Sequence, residues 1–339
     1  MSKKTIFLAI FYSILFSTTF YISWISWLFD SILLLAFYSI LFYGIYFLYS
    51  KLRKRKLKSA REYLLYFYSR IAVFMLIILW FFWSLFYYEN SISPAKLPEY
   101  TISNGKKIVK FQGMAHIWSD DFYGNIRNNV ITYKKDWFVL FFEWVKPGNA
   151  VNNEKFNKML GIKFSKQTYI DLSKLYWLRE QRNNEFLWLV NTDDFNVDTT
   201  IDEIVSQYEA KYWVVTKMQN QIIKQETPFD VEKYVAEIVS TFNDREMKIL
   251  IYVNRAIMNF IVKSQTIQDF ALEKSGSKNV FDIILNNRNK ILATEIQETE
   301  HKKMYVLYGL LHFKWVFNIL QKSDPNWQIV SVKYYYPVK

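Results

Sequence analysis

Cysteine is absent from all 339 residues. That excludes disulfides, thiolate zinc sites and cysteine nucleophiles, so any part of the chain outside a cell must rest on its own core. Histidine is scarce, at three in all. No Gly-rich phosphate loop, Gly-x-Ser-x-Gly elbow or His-Glu-x-x-His pair occurs, which removes the commonest nucleotide, serine-hydrolase and zinc-protease signatures. Charge is missing too, from Thr5 to Phe29, from Ser31 to Ser50 and from Ile71 to Tyr88.

Each uncharged stretch can cross a hydrocarbon core of about 30 Å at 1.5 Å per residue. Three transmembrane helices are expected, over about 5–29, 31–50 and 71–88. A cleaved signal peptide fits the first stretch less well, because no small-residue cleavage site follows it and a second apolar run comes at once. "KLRKRKLKSAR" (51–61) carries seven Lys and Arg, whereas the turn between the first two spans offers only Asp30. The positive-inside rule then puts the N-terminus in the cytoplasm and everything from about residue 90 outside a multi-pass cell membrane. Anionic lipids of the inner leaflet suit the basic loop.

The formal net charge is +12, of which residues 1–94 hold +7 and the remaining 245 only +5. The soluble part is too mildly basic to argue for nucleic acid. The lipid bilayer and a peptide or small-molecule ligand are the partners expected, and a homo-oligomer is left open.

"ENSISPAKLPEY", with two prolines, reads as part of a linker over 91–105. The soluble domain then runs over 106–339. "KKIVKFQ" (106–112) is a strand, and "SDDFYGNIRNNVITYKK" (119–135) is a helix by its Ser/Asp start and apolar spacing. "DWFVLFFEW" (136–144) is a near-continuous apolar run, as in a parallel-sheet strand buried on both faces. Together these predict a βαβ unit. "EFLWLVNTDD" (185–194) is a third strand candidate, and "TTIDEIVSQYEAKY" (199–212) a Thr-capped helix. Residues 152–185 read as helical or irregular, and 230–264 and 280–298 as helical. A strand at 303–308, a helix and a last strand close the chain. The fold class expected is α/β: a mixed, mainly parallel sheet flanked by helices.

Polar residues collect at predicted strand ends. His116 follows the first strand, Glu143 ends the second, Asp193 and Asp194 end the third, and His312 follows the strand at 303–308. In an open parallel sheet, ligands sit beyond the carboxyl ends of the strands. Both histidines stand three residues after a glycine, in "FQGMAH" (111–116) and "YVLYGLLH" (305–312). Gly113 and Gly309 would allow unusual φ and close backbone approach. Each imidazole would fall in the first turn of a helix and stay neutral. Two imidazoles and Glu143 could hold a divalent metal (manganese, zinc, cobalt or iron) with a position open for water. A carboxylate beside Phe141 and Phe142 is costly unless paired, and Arg288 is the first candidate partner. Tyr308 could donate from behind the site, and Asp193 and Asp194 could instead cap the next helix. His301 reads as solvated surface.

These motifs resemble the superfamily that joins TraB and PrgY, ChaN, erythromycin esterase and the Tiki proteases. Its pattern is a strand ending in Gly-x-x-His, a Glu closing the next strand, an Arg on a late helix and a second Gly-x-x-His. The matching stretches here are "KFQGMAH", "VLFFEWVKPG", "NNRNKILATEI" and "YVLYGLLHF". The resemblance implies an active site of His116, Glu143, Arg288 and His312 without fixing the reaction, since members are metal-dependent proteases, esterases, haem-binding and pheromone-shutdown proteins. A metal-dependent hydrolase acting on peptides in preference to esters is expected. The resemblance also admits a non-catalytic module that binds a peptide signal or haem. Trp144 departs from the pattern, where a small residue commonly follows the Glu.

Overall fold

The computed structural model describes residues 3–54, 59–160, 166–222, 230–274 and 278–339. The centre of the basic loop (55–58) lies outside them. Two compact units divide the chain: Met1–Tyr88 with Val239–Val253, and Glu89–Ile238 with Asn254–Lys339.

The first unit is built on α1 (Lys3–Leu52) and α2 (Ala60–Tyr87). Ser59 caps α2, its hydroxyl accepting from the Glu62 amide, and a π-helical turn, Tyr88–Ile92, extends it. The two spans expected at 5–29 and 31–50 are therefore not separate helices, since helical backbone continues through Asp30. The run is nevertheless not straight. Tyr12 packs against Tyr68 with ring centroids 5.8 Å apart, and the Ser39 hydroxyl touches the same tyrosine. A straight helix would hold residues 12 and 39 about 40 Å apart, so α1 doubles back between them. Its second arm then runs along α2, with Tyr46 stacked on Tyr63 at 4.3 Å and Phe42 against Phe67 at 5.0 Å. Among the described residues, one helix is long and apolar enough to cross a membrane, Ala60–Ile92, and not the three expected. It starts well before residue 71, and its apolar window is almost wholly unburied.

The second unit is α/β. Its strands are β1 (Leu97–Ser103), β2 (Ile108–Met114), β3 (Ile117–Trp118), β4 (Val139–Phe142), β5 (Arg179–Glu180), β6 (Phe195–Asn196), β7 (Lys303–Gly309) and β8 (Gln328–Tyr335). Six form a mixed sheet in the order β6-β4-β7-β2-β1-β8, and β3 pairs with β5 apart from it. β6, β4, β7 and β2 are mutually parallel, and β1 is antiparallel to both neighbours. The helices are α3 (Asp120–Lys135), α4 (Ala150–Leu160), α5 (Lys166–Lys174), α6 (Asn184–Leu187), α7 (Ile201–Ile222), α8 (Val231–Thr241), α9 (Asp244–Lys263), α10 (Gln265–Lys274), α11 (Lys278–Glu298) and α12 (Phe313–Ser323). α9 passes from one unit into the other.

Alternation along β7 builds the two faces of this sheet. Tyr305 and Leu307 join Phe122, Tyr123, Ile126 and Val130 of α3 on one face. Met304, Val306 and Tyr308 join Leu292, Ala293 and Ile296 of α11, with Val316 and Leu320 of α12, on the other. All four residues of β4 are buried, which explains its unbroken apolar run. Ser119 caps α3, accepting from the Phe122 amide at 3.2 Å. β4 starts later than the run suggests, because Asp136 and Trp137 still donate to the last carbonyls of α3 and Trp137 turns left-handed at φ 65°.

Two expectations fail. The linker over 91–105 contains β1, which forms a hairpin with β2 through the four-residue loop 104–107, where Gly105 stands at φ 82°. "EFLWLVNTDD" holds no strand: its start is the short helix α6, and the third parallel strand is the two-residue β6 that follows. Asp194 thereby becomes a structural residue. Its fully buried carboxylate accepts from Lys134 Nζ and from the Leu140 amide at 2.6 Å. Asp194→Ala should lower stability by about 1–3 kcal/mol through the orphaned amide and ammonium, read as a fall in Tm with the site chemistry intact.

Candidate active site

β2, β4, β6 and β7 end at one edge of the sheet, and the chain leaving each carries a polar residue to it. Asp193 and Asp194 are not among them. They precede β6, and the acid that follows this strand is Asp198. The sequence reading missed it because a two-residue strand leaves no periodic signal.

Glu143, the residue after β4, holds the centre. One carboxylate oxygen meets an Arg288 nitrogen, and the other accepts from the amide of Gly309 at the end of β7. Arg288 reaches from α11 and also faces Asp198, at 2.8 Å through both Nε and Nη2. Its guanidinium lies 5.3 Å from the centre of the Tyr308 ring. Tyr308 is fully buried and donates its hydroxyl to the Val197 carbonyl at 2.9 Å. The arginine is 5 % exposed and committed to two carboxylates, which makes it a positioning group for Glu143.

His312 is the N-cap residue of α12 and is 3 % exposed. Its Nδ1 lies 2.6 Å from Oδ1 of Asn289, the residue after Arg288 on α11. An amide oxygen only accepts, so Nδ1 carries the proton and Nε2 a lone pair. Tyr308 meets the imidazole edge-on, with centroids 4.7 Å apart. Asn289 was not anticipated; a polar residue buried on a helix of the core face was its one signal.

His116 sits differently. It lies between β2 and β3, and the helix starts only at Asp120, so no helix terminus acts on it. The His116 carbonyl accepts from the Gln181 amide at 2.8 Å, and its ring packs at 4.5 Å on Tyr169 of α5. The imidazole keeps an exposed edge, yet the protein around it is dense enough to weaken its protonation. The third histidine, His301, is half-buried with its ring edge-on to Phe195 and stands apart from the site.

The glycines serve packing. Neither Gly113 nor Gly309 has positive φ. A Cβ on Gly113 would stand 3.1 Å from Cα and 3.2 Å from Cβ of Leu310, and one on Gly309 would meet His312 Cδ2 at 3.1 Å and Glu143 Oε2 at 3.2 Å. The Leu310 amide also donates to the Met114 carbonyl at 2.9 Å, so the two Gly-x-x-His turns interlock. Gly113→Ala should therefore push on backbone that cannot yield, costing about 1–3 kcal/mol in a thermal melt and disturbing the His312 turn as well.

Burial sets the electrostatics. It is the main cause that lowers His312 to about 4, with Glu143 opposing and Arg288 assisting. The same three influences lower His116. Burial pushes Glu143 up, but Arg288, the histidines and the Gly309 amide outweigh it and hold the carboxyl below its usual range. Asp198 is raised to about 6 by burial, with Arg288 opposing and the Glu143 charge adding to the rise. Burial would lower Arg288, but Glu143, Tyr308 and Asp198 keep it firmly protonated. At neutral pH the site thus holds two neutral imidazoles beside one clamped carboxylate.

A metal ion suits this arrangement poorly. Among the described residues, no group of three or more His, Asp or Glu side chains is disposed to hold one, and both Glu143 oxygens already have partners. Comparisons with protein-family models, with curated proteins and with solved structures return no match to this chain.

Proposed function

We propose that the second unit is a hydrolase, acting on peptides in preference to esters, and that the first unit fixes it in a cell membrane. The observation that carries this reading is the His312 lone pair, set by Asn289 and brought beside a Glu143 carboxylate whose orientation Arg288 and the Gly309 amide determine. A water there loses its proton to His312 Nε2 as it attacks an acyl carbon. Neutral His116 donates a hydrogen bond to the acyl oxygen, and the proton taken up by His312 passes to the leaving group as the acyl bond breaks. Tyr308 and Asp198 hold Arg288, and Arg288 holds Glu143. The family proposed is the one joining TraB, ChaN, erythromycin esterase and Tiki, on the same four residues.

No step here runs through a metal, because the donor set does not fit one. Purified full-length protein, screened against a fluorogenic peptide library and p-nitrophenyl esters, should keep its turnover after chelation. A stoichiometric metal that is lost in His116→Ala would overturn this and restore the divalent-ion reading.

A second reading rests on the low basicity of His312. An imidazole at about 4 is a weak base at neutral pH, and it suits a module that sequesters a peptide or a small ligand such as haem. Binding without turnover, lost in His116→Ala, would select it.

For the membrane, we propose that the two arms of α1 and the helix Ala60–Ile92 each cross it, with the basic loop 51–61 in the cytoplasm and the second unit outside. The doubling back of α1 supports three crossings, and the seven basic residues support the orientation.

A further inference from the structure

Helix α5 brings to the site a phenol that the two Gly-x-x-His turns, Glu143 and Arg288 do not account for. The ring of Tyr169 lies on the His116 imidazole, with centroids 4.5 Å apart and planes tilted by 41°. The charge of Glu143 acts on both side chains, so the three groups share one neighbourhood inside the second unit. Tyr169 is half-buried. Tyr308, by contrast, is fully buried behind Arg288 and committed to the Val197 carbonyl.

The helix is tied near both ends. Thr168, the residue before the tyrosine, is fully buried, and its hydroxyl meets Glu232 of α8 at 3.3 Å. At the other end, the Leu175 carbonyl accepts from the Asn254 side chain at 3.0 Å. The chain then turns into β5, which pairs with β3 at Arg179–Trp118 and Glu180–Ile117. The next residue, Gln181, donates to the His116 carbonyl at 2.8 Å. The strand that leaves α5 thus holds the backbone of the histidine on which the Tyr169 ring rests.

Stacking on His116 needs only a ring, and phenylalanine would supply one with no polar group to desolvate. A tyrosine hydroxyl is protonated at neutral pH, and burial, with the Glu143 charge adding, opposes its ionisation further. It is therefore a donor, as neutral His116 is. Attack by water on an acyl carbon moves the carbonyl electron pair onto oxygen, and donors fixed in advance around that oxygen lower the barrier. We propose that Tyr169 is a catalytic residue, its hydroxyl joining the His116 imidazole as a second donor to the acyl oxygen. The inference rests on the hydrolase reading above. Tyr169 keeps its proton throughout, since the proton of the water goes to His312 and from there to the leaving group.

Tyr169→Phe in the full-length protein keeps the ring and removes the hydroxyl. It should retain the wild-type Tm and lower kcat by about 10²-fold, with KM little changed. The probes are a fluorogenic peptide from the library screen and p-nitrophenyl acetate. The nitrophenolate leaves without taking a proton, so loss of an oxyanion donor is felt on both probes. Loss of an acid for the leaving group would be felt on the peptide alone. Thr168→Val, a change beside the site, should lower Tm and keep kcat. Wild-type kcat in Tyr169→Phe would overturn the assignment, as would a loss confined to the peptide or an equal kcat loss in Thr168→Val. Turnover of neither probe by the wild-type protein would overturn the hydrolase reading itself, and the assignment with it.

Discussion

Arg288→Met is expected to destabilise the protein by about 3–5 kcal/mol, because it leaves Glu143 and Asp198 without the cation they share inside the fold. The guanidinium is 5 % exposed and faces Asp198 through two nitrogens. Arg288→Lys should recover only part of the loss, since a single ammonium cannot reproduce a planar fork between two acids. Asp198 fixes the pH dependence. Its folded pKa, at about 6, already lies above the ordinary value, and removing Arg288 takes away its chief opposing charge. A carboxyl raised in the folded state destabilises when ionised, so the penalty should be absent below the ordinary carboxylate range, grow as pH rises, and be complete only above the variant's folded value, which losing Arg288 moves to the alkaline side of 6. The triple variant Arg288→Met, Glu143→Gln, Asp198→Asn should regain most of the stability while losing the site chemistry. Melts of the detergent-solubilised protein across pH test all three. An Arg288→Met Tm equal to wild type would mean that the carboxylates are solvated and the site is open.

How much of this was legible follows the length of the signals. β2, α3, β4, β7 and α12 are long enough for period and capping to show, so the sheet direction and the edge that carries His116, Glu143 and His312 could be read from residue pattern. β6 is two residues long, and with it Asp198 was out of reach. "EFLWLV" is apolar enough for a strand and equally so for a turn of helix, and period cannot separate the two over six residues. The hairpin inside the expected linker did have a signal in Asn104-Gly105, a dipeptide that marks turns, but its loop spans four residues, 104–107, and two prolines nearby suggested a tether. Asn289 was hidden for another reason. Its role depends on α11 crossing the start of α12, a tertiary fact with no local trace. The resemblance of the two Gly-x-x-His turns was half misleading: the glycines do matching work for packing, whereas only His312 sits at a helix start.

His312→Ala should lower kcat by about 10²- to 10⁴-fold, the usual worth of a positioned general base, with KM little changed because the imidazole is buried and acts on water. Asn289 separates chemistry from architecture. Its amide oxygen selects the Nδ1–H form of His312, and Asn289→Asp would put an anion there, stabilising the imidazolium and making Nε2 more basic. The acid limb of the kcat profile, set in the wild type by an imidazole at about 4, should then move to higher pH, because more of the base is already protonated in mild acid. A merely structural asparagine would change Tm and leave that limb in place. Asn289→Ala should lose the tautomer preference and part of the rate without moving the limb upward. Undiminished turnover in His312→Ala would remove this residue from the chemistry and transfer the base to His116, the other neutral imidazole beside Glu143.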